Sequence, residues 1–174
     1  MDVRFLDVNT VSPEQLALWE SWLTAEKRQR ISRLPEKARL LSLYGDGLAR
    51  EALGEALCLA PEDVVITEGE NGKPLTAGVF FSISHSGDVV GCAVSDREVG
   101  LDLEQIRPVP ARLGRALERW QTPEEFWRIW VCREAAIKCC GGKLAQWRRE
   151  PLEGLVFRHP VAPEGYVAVI CEKE

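Results

Sequence analysis

Three carboxylates in two short motifs hold the chemistry this sequence makes available. Asp102 and Glu104 stand in Gly100-Leu101-Asp102-Leu103-Glu104, and Glu134 stands in Trp130-Val131-Cys132-Arg133-Glu134-Ala135-Ala136-Ile137-Lys138. Residues two apart on a strand share a face, so Asp102 and Glu104 are predicted to project together while Val99, Leu101 and Leu103 point into a core. Residues four apart on a helix share a face, which pairs Glu134 with Lys138. Where such a strand and helix meet, three hard oxygen donors gather beside a cation. A Mg²⁺ ion handling a phosphate ester needs that set: a few carboxylates, open positions for phosphate oxygens, and a positive group for charge that develops during transfer. Each half also has an ordinary reading. Acidic residues decorate exposed strand faces, and a Glu→Lys pair at this spacing is a helix stabiliser worth about 0.2–0.5 kcal/mol. A third segment favours the chemical reading. Gly72-Lys73-Pro74 is followed by Phe81-Ser82-Ile83-Ser84-His85-Ser86-Gly87, where Ser84 and His85 are expected at a strand end entering a tight turn, well placed to meet phosphate.

Taken in order, these segments resemble the signature of the 4′-phosphopantetheinyl transferases, in particular the larger, pseudo-dimeric surfactin-synthetase-activating type. The matching stretches are Gly72-Lys73-Pro74, Ser82-Ile83-Ser84-His85-Ser86, Gly100-Leu101-Asp102-Leu103-Glu104, and Trp130 through Lys138. Weaker similarity runs from about Glu26 to the C-terminus and includes an Arg-containing helix from Arg39 to Arg50. Three departures stand out. The stretch between Pro108 and Trp130 is compressed, the stretch after Leu144 is trimmed, and Arg133 stands where the family usually has Lys.

The resemblance implies an α+β fold of two similar halves related by a pseudo-two-fold axis, here 1–101 with the coenzyme-binding elements and 102–174 shortened. It implies transfer of the 4′-phosphopantetheine arm of coenzyme A to a serine of an apo acyl or peptidyl carrier protein, with release of 3′,5′-ADP. Asp102, Glu104 and Glu134 become ligands for Mg²⁺, with Mn²⁺ as a possible substitute. Glu134 is also the candidate base, and Lys138 a point charge on the pyrophosphate. Ser84 and His85 become coenzyme A contacts, Lys73 packs along the adenine or reaches a phosphate, and Arg39 meets the 3′-phosphate. Two readings compete: another Mg²⁺-dependent phosphodiester enzyme, and a non-catalytic coenzyme A-binding relative whose shortened second half no longer docks a carrier.

The chain has 174 residues, 45% hydrophobic and 28% charged, enough for one sizeable core or two small lobes sharing one. A net charge of −5 argues against nucleic acid as a partner. The charge is uneven: Lys27, Arg28, Arg30, Arg33, Lys37 and Arg39 cluster early, and Arg107, Arg112, Arg115 and Arg119 follow the acidic motif. Local fields of this kind steer anionic partners despite a negative total. No apolar run is long enough to span a bilayer, and the first residues lack a signal-peptide plan. The six cysteines form no C-x-x-C pair, so free thiols in a cytoplasmic setting are expected; a monomer is what the family resemblance implies.

Alternation predicts a strand at 3–8. Ser12 and Pro13 open a helix bearing Leu16, Leu18, Trp19, Trp22 and Leu23. A long helix is expected at 36–57, with Ala38, Leu41, Leu48, Ala49, Ala52 and Leu53 on its buried side. Strands at 79–83 and 89–94 form a hairpin closed by residues 85–88, and a further strand covers 99–104. Pro108 and Pro110 mark the passage between halves. A helix from Pro123 to about Cys140 is stopped by Gly141-Gly142, with Trp127 and Trp130 in its core face. Trp120 and Trp147 read equally as buried or carrier-facing. Strands at 155–158 and 166–171 close the chain.

Overall fold

A computed structural model of the chain describes residues 1–69, 72–114, 117, 120–141 and 153–174. Its elements are β1 (Asp2–Asp7), α1 (Pro13–Ser21), α2 (Ala25–Ile31), α3 (Glu36–Leu57), β2 (Thr67–Glu68), β3 (Pro74–Leu75), β4 (Phe80–Ser86), β5 (Val89–Ser95), β6 (Val99–Gln105), α4 (Ala111–Gly114), α5 (Pro123–Cys140), β7 (Leu155–Arg158) and β8 (Tyr166–Lys173). The chain is a mixed α/β protein with small antiparallel sheets. One three-stranded sheet has the order β1-β5-β4 and the other β6-β8-β7. Both have the same connectivity: a strand, a long helix, then two strands of which the last takes the centre. The boundary expected between residues 101 and 102 lies inside β6, all of which pairs with β8.

Strand alternation sets the layers. Val90, Cys92 and Val94 of β5 pack against Leu48, Ala49, Ala52 and Leu53 of α3. On the other face of that sheet, Val89 and Ala93, with Val3 and Phe5 of β1, meet Val99, Leu101 and Leu103 of β6. The far face of the second sheet offers Val167, Val169 and Cys171 to Phe126, Trp127, Val131, Ala135 and Cys139 of α5. The order through the molecule is therefore α3, sheet, sheet, α5. Phe126 and Trp127 are fully buried, and burial of each contributes about 1.5–3 kcal/mol. The expected inward face of Val99, Leu101 and Leu103 is found. The acidic face is not open to solvent: it lies against α5, and Asp102 is only 5% exposed. Gly100 makes that close approach possible, since a Cβ there would collide with the backbone of Ala135 and Cys139.

Local signals place the element ends. Ser12 caps α1 by accepting from Gln15 N–H, with Pro13 in the first turn. Thr122 does the same for α5 through Glu125 N–H, and Gly141 ends that helix in a left-handed conformation. The β4–β5 turn is shorter than expected. Ser86 pairs directly with Val89, leaving Gly87 at a φ of 58° as the first of two turn residues, a conformation that suits glycine. Ser84 and His85 thus lie within a strand and face opposite ways. Trp19 and Leu23 are buried, whereas Leu18 is exposed. The short α2 and the β2–β3 pair carry no strong periodicity and were not expected. All six cysteines are free thiols. Among the described residues no helix is long and apolar enough to cross a membrane.

Candidate active site

β6 is the edge strand of its sheet, and its outward N–H groups need partners. β4 supplies them from serine side chains. Leu103 N–H donates to Ser84 Oγ at 3.2 Å and Gln105 N–H donates to Ser86 Oγ at 3.1 Å. Each hydroxyl then donates to the carboxylate beside it: Ser84 to Asp102 Oδ1 at 2.9 Å, and Ser86 to Glu104 Oε2 at 2.5 Å. Each also accepts from a cation. Lys138 Nζ reaches Ser84 Oγ at 2.9 Å, and Arg107 Nη1 reaches Ser86 Oγ at 3.0 Å. A hydroxyl has one proton and two lone pairs, so both serines are fully committed within the protein.

The same cations bind the same carboxylate oxygens. Lys138 Nζ lies 2.7 Å from Asp102 Oδ1, and Arg107 Nη2 lies 3.2 Å from Glu104 Oε2. Arg107 is held in place from both ends. Its guanidinium stacks 4.7 Å over the Trp127 ring, and its carbonyl accepts from Trp127 Nε1 at 2.8 Å. Each strand carboxylate is therefore engaged through one oxygen only. Among the described residues Asp102 Oδ2 is buried without a partner, which ordinarily costs stability unless a ligand uses the atom. Glu134 is half-buried one turn before Lys138. Burial first, and then the charge of Asp102, push its carboxyl above the ordinary range, while Lys138 pulls it down. Burial also raises Glu104, opposed by the bond from Ser86 and reinforced by Asp102. Burial is the larger cause for both Glu134 and Glu104, and the charge of Asp102 adds to it.

The expected convergence of Asp102, Glu104 and Glu134 on a single point is not made by the side chains as they stand. Among the described residues no three His, Cys, Asp or Glu groups are drawn together as an ion would hold them. Lys138 and Arg107 neutralise two of the anions instead. The donor set nevertheless suits a hard divalent cation: three carboxylates on adjoining elements, one with an orphaned buried oxygen.

The remaining candidates divide. Lys73 sits beside the site, and its ammonium donates to Lys138 O at 2.7 Å and to Val99 O and Cys139 O at 3.3 Å each. Those carbonyls belong to the end of α5 and the start of β6, and desolvation there lowers the Lys73 pKa. Its stem borders a cavity of about 240 Å³ lined also by Gly72, Pro74, Ser82, Ile83 and Lys138. His85 is exposed, at the end of the β4 face whose Phe81 and Ile83 pack into the α3 core. Its imidazole is held below its ordinary pKa by desolvation and then by the charge of Lys138. Arg39 stands exposed near the start of α3 and does not border that cavity. Trp120 packs against the α5 core, its indole N–H donating to Gly114 O at 3.2 Å. Trp147, Arg115, Arg119 and Gly142 lie outside the described residues.

Two residues of the site escaped the sequence reading. Ser86 was taken as part of a turn, and Arg107 as one charge in a basic stretch. A signal was available: Ser84 and Ser86 repeat the spacing of Asp102 and Glu104, and Arg107 follows Glu104 by three.

No family profile matches the chain. Among curated proteins, the 4′-phosphopantetheinyl transferase AcpT of Salmonella typhimurium is 37% identical over 134 residues, covering 67% of this chain and 67% of its own length. The 4′-phosphopantetheinyl transferase HetI of Nostoc sp. is 29% identical over 158 residues, covering 79% of this chain and 62% of its own. The 4′-phosphopantetheinyl transferase Sfp of Bacillus subtilis is 26% identical over 144 residues, with 74% and 64% covered. The chain belongs to the 4′-phosphopantetheinyl transferase family. It spans 62% of the length of HetI, so the match leaves over a third of that relative without a counterpart.

Proposed function

We propose that this protein transfers the 4′-phosphopantetheine arm of coenzyme A to a serine of an apo acyl or peptidyl carrier protein, releasing 3′,5′-ADP. The observation that carries the reading is the joining of Ser84, Asp102 and Lys138 by bonds of 2.7–2.9 Å, with a buried carboxylate oxygen left over. Mg²⁺ or Mn²⁺, held by Asp102, Glu104 and Glu134, supplies when bound the positive charge that offsets charge building on the pyrophosphate. Lys138 meets the same pyrophosphate as a point charge. Glu134 accepts the proton of the carrier serine, directly or through a water; beside Mg²⁺ a carboxylate is a weak base, so the metal would have to assist by lowering the pKa of the serine or water. The serine oxygen then bonds to the β-phosphorus as the bond to the leaving phosphate breaks. The adenine end of the coenzyme lies in the cavity beside Lys73, with His85 at its phosphates and Arg39 assigned to the 3′-phosphate; Ser84, expected as a coenzyme contact, has its hydroxyl taken up by Asp102, Leu103 N–H and Lys138 and acts by holding Lys138.

A division into two halves related by a pseudo-two-fold axis belongs to the same proposal and is supported by the shared strand–helix–strand–strand connectivity, which moves the boundary expected between 101 and 102 to before Val99, so that β6 stays whole in the second half. So do a monomeric state and a cytoplasmic location, the latter supported by the free thiols. The test is intact mass spectrometry of apo acyl and apo peptidyl carriers incubated with this protein, coenzyme A and Mg²⁺. The expected outcome is a gain of one phosphopantetheine arm, abolished by Asp102→Ala. Coenzyme A bound without transfer would favour a non-catalytic relative. Coenzyme A cleaved without a carrier would favour a phosphodiester hydrolase.

A further inference from the structure

The geometry points to Ser86 and Arg107 as positioning residues that hold Glu104 with one oxygen free for the cation. This rests on the reading of Glu104 as a metal ligand. Ser86 is only 7% exposed. Its hydroxyl has no capacity left for a coenzyme, being saturated by Glu104, Gln105 N–H and Arg107. Arg107 spans the pair, placing Nη1 on Ser86 Oγ and Nη2 on Glu104 Oε2. Stacking on Trp127 fixes the plane of the guanidinium. Both contacts to the Glu104 carboxylate end on Oε2, and no described group bonds Oε1. An isolated glutamate on an edge strand samples several rotamers, and each must be given up when it ligates. Outer partners that settle the rotamer in advance commonly contribute 10–100-fold in metal affinity.

Lysine cannot replace Arg107, because one ammonium on a flexible stem does not reproduce a planar fork that serves two oxygens and stacks on an indole. Threonine can replace Ser86, since it keeps the hydroxyl. The experiment follows free Mn²⁺ by electron paramagnetic resonance as it is titrated into the full chain with saturating coenzyme A, alongside thermal melting of each sample. Ser86→Ala and Arg107→Met should each weaken Mn²⁺ binding by about tenfold. Ser86→Thr should stay within about threefold of wild type, and Arg107→Lys should fail to restore affinity. Mn²⁺ binding within about twofold of wild type in both Ser86→Ala and Arg107→Met overturns the inference. If Ser86→Ala does not fold, Arg107→Met decides by the same threshold, because the Arg107 side chain is 41% exposed and outside the core. A wild-type protein that binds no Mn²⁺ removes the metal reading itself, which is a different result from variants that match a wild type that binds.

Discussion

Two clusters along β4 and β6 have the same wiring and different surroundings. In each, a β4 serine accepts from an edge N–H of β6, donates to a β6 carboxylate, and accepts from a cation that also pairs with that carboxylate. The inner cluster is Ser84, Asp102 and Lys138, and the outer is Ser86, Glu104 and Arg107. Asp102 is 5% exposed and keeps a buried oxygen that has no partner among the described residues. Its cation comes from α5, on the far side of the sheet pair. Glu104 is less buried, and its cation comes from the next turn of the same chain segment, with 41% of the side chain exposed. Charge interactions strengthen as water is excluded, so identical bonds count for more in the inner cluster. We read the inner cluster as the place where charge on the substrate is met, and the outer one as the frame that aims a second carboxylate.

Paired variants that remove charge but keep size test this difference most sharply. Asp102→Asn should lower arm transfer by about 10³, and Glu104→Gln by about 10², both read as initial rates of carrier mass gain. Equal losses would break the distinction. Lys138→Ala should lose about 10²–10³ in turnover, as expected for removal of one preorganised donor. Wild-type turnover in that variant would remove Lys138 from the chemistry.

Smaller effects test what holds the inner cluster together. Gly100→Ala forces a Cβ into the α5 backbone at Ala135 and Cys139. It should destabilise the fold by about 1–3 kcal/mol, a drop of roughly 2–4 °C in Tm for each kcal/mol. An unchanged Tm would mean that α5 does not sit on β6 as described. Lys73→Met removes three bonds to the end of α5 and the start of β6. Turnover with coenzyme A and with 3′-dephospho-coenzyme A should fall by the same factor, about tenfold. A loss confined to coenzyme A would instead assign the ammonium to the 3′-phosphate.

Much of the fold could be read from residue order. Ser12-Pro13 and Thr122-Pro123 start helices because they satisfy orphan N–H groups, and Gly141 stops one. Alternation placed Val99, Leu101 and Leu103 in a core, which the packing against β5 and β1 bears out. Leu18 is exposed beside buried Trp19, a distinction that helical spacing alone does not make. α2 was missed because a short, charged helix has no periodicity to find.

The sequence by itself determined which groups the site contains, since Asp102, Glu104, Glu134 and Lys138 follow from motifs whose spacing matches strand and helix periods. Only the tertiary structure decided how they are used. Packing of α5 on β6 turned an apparently exposed acidic face into a covered one, and extension of β4 to Ser86 brought two serines into register with two carboxylates. The reason is physical. Local spacing sets the side of an element on which a side chain projects, but burial and pairing depend on what lies opposite. Here that partner comes from residues 18 to 54 positions away along the chain.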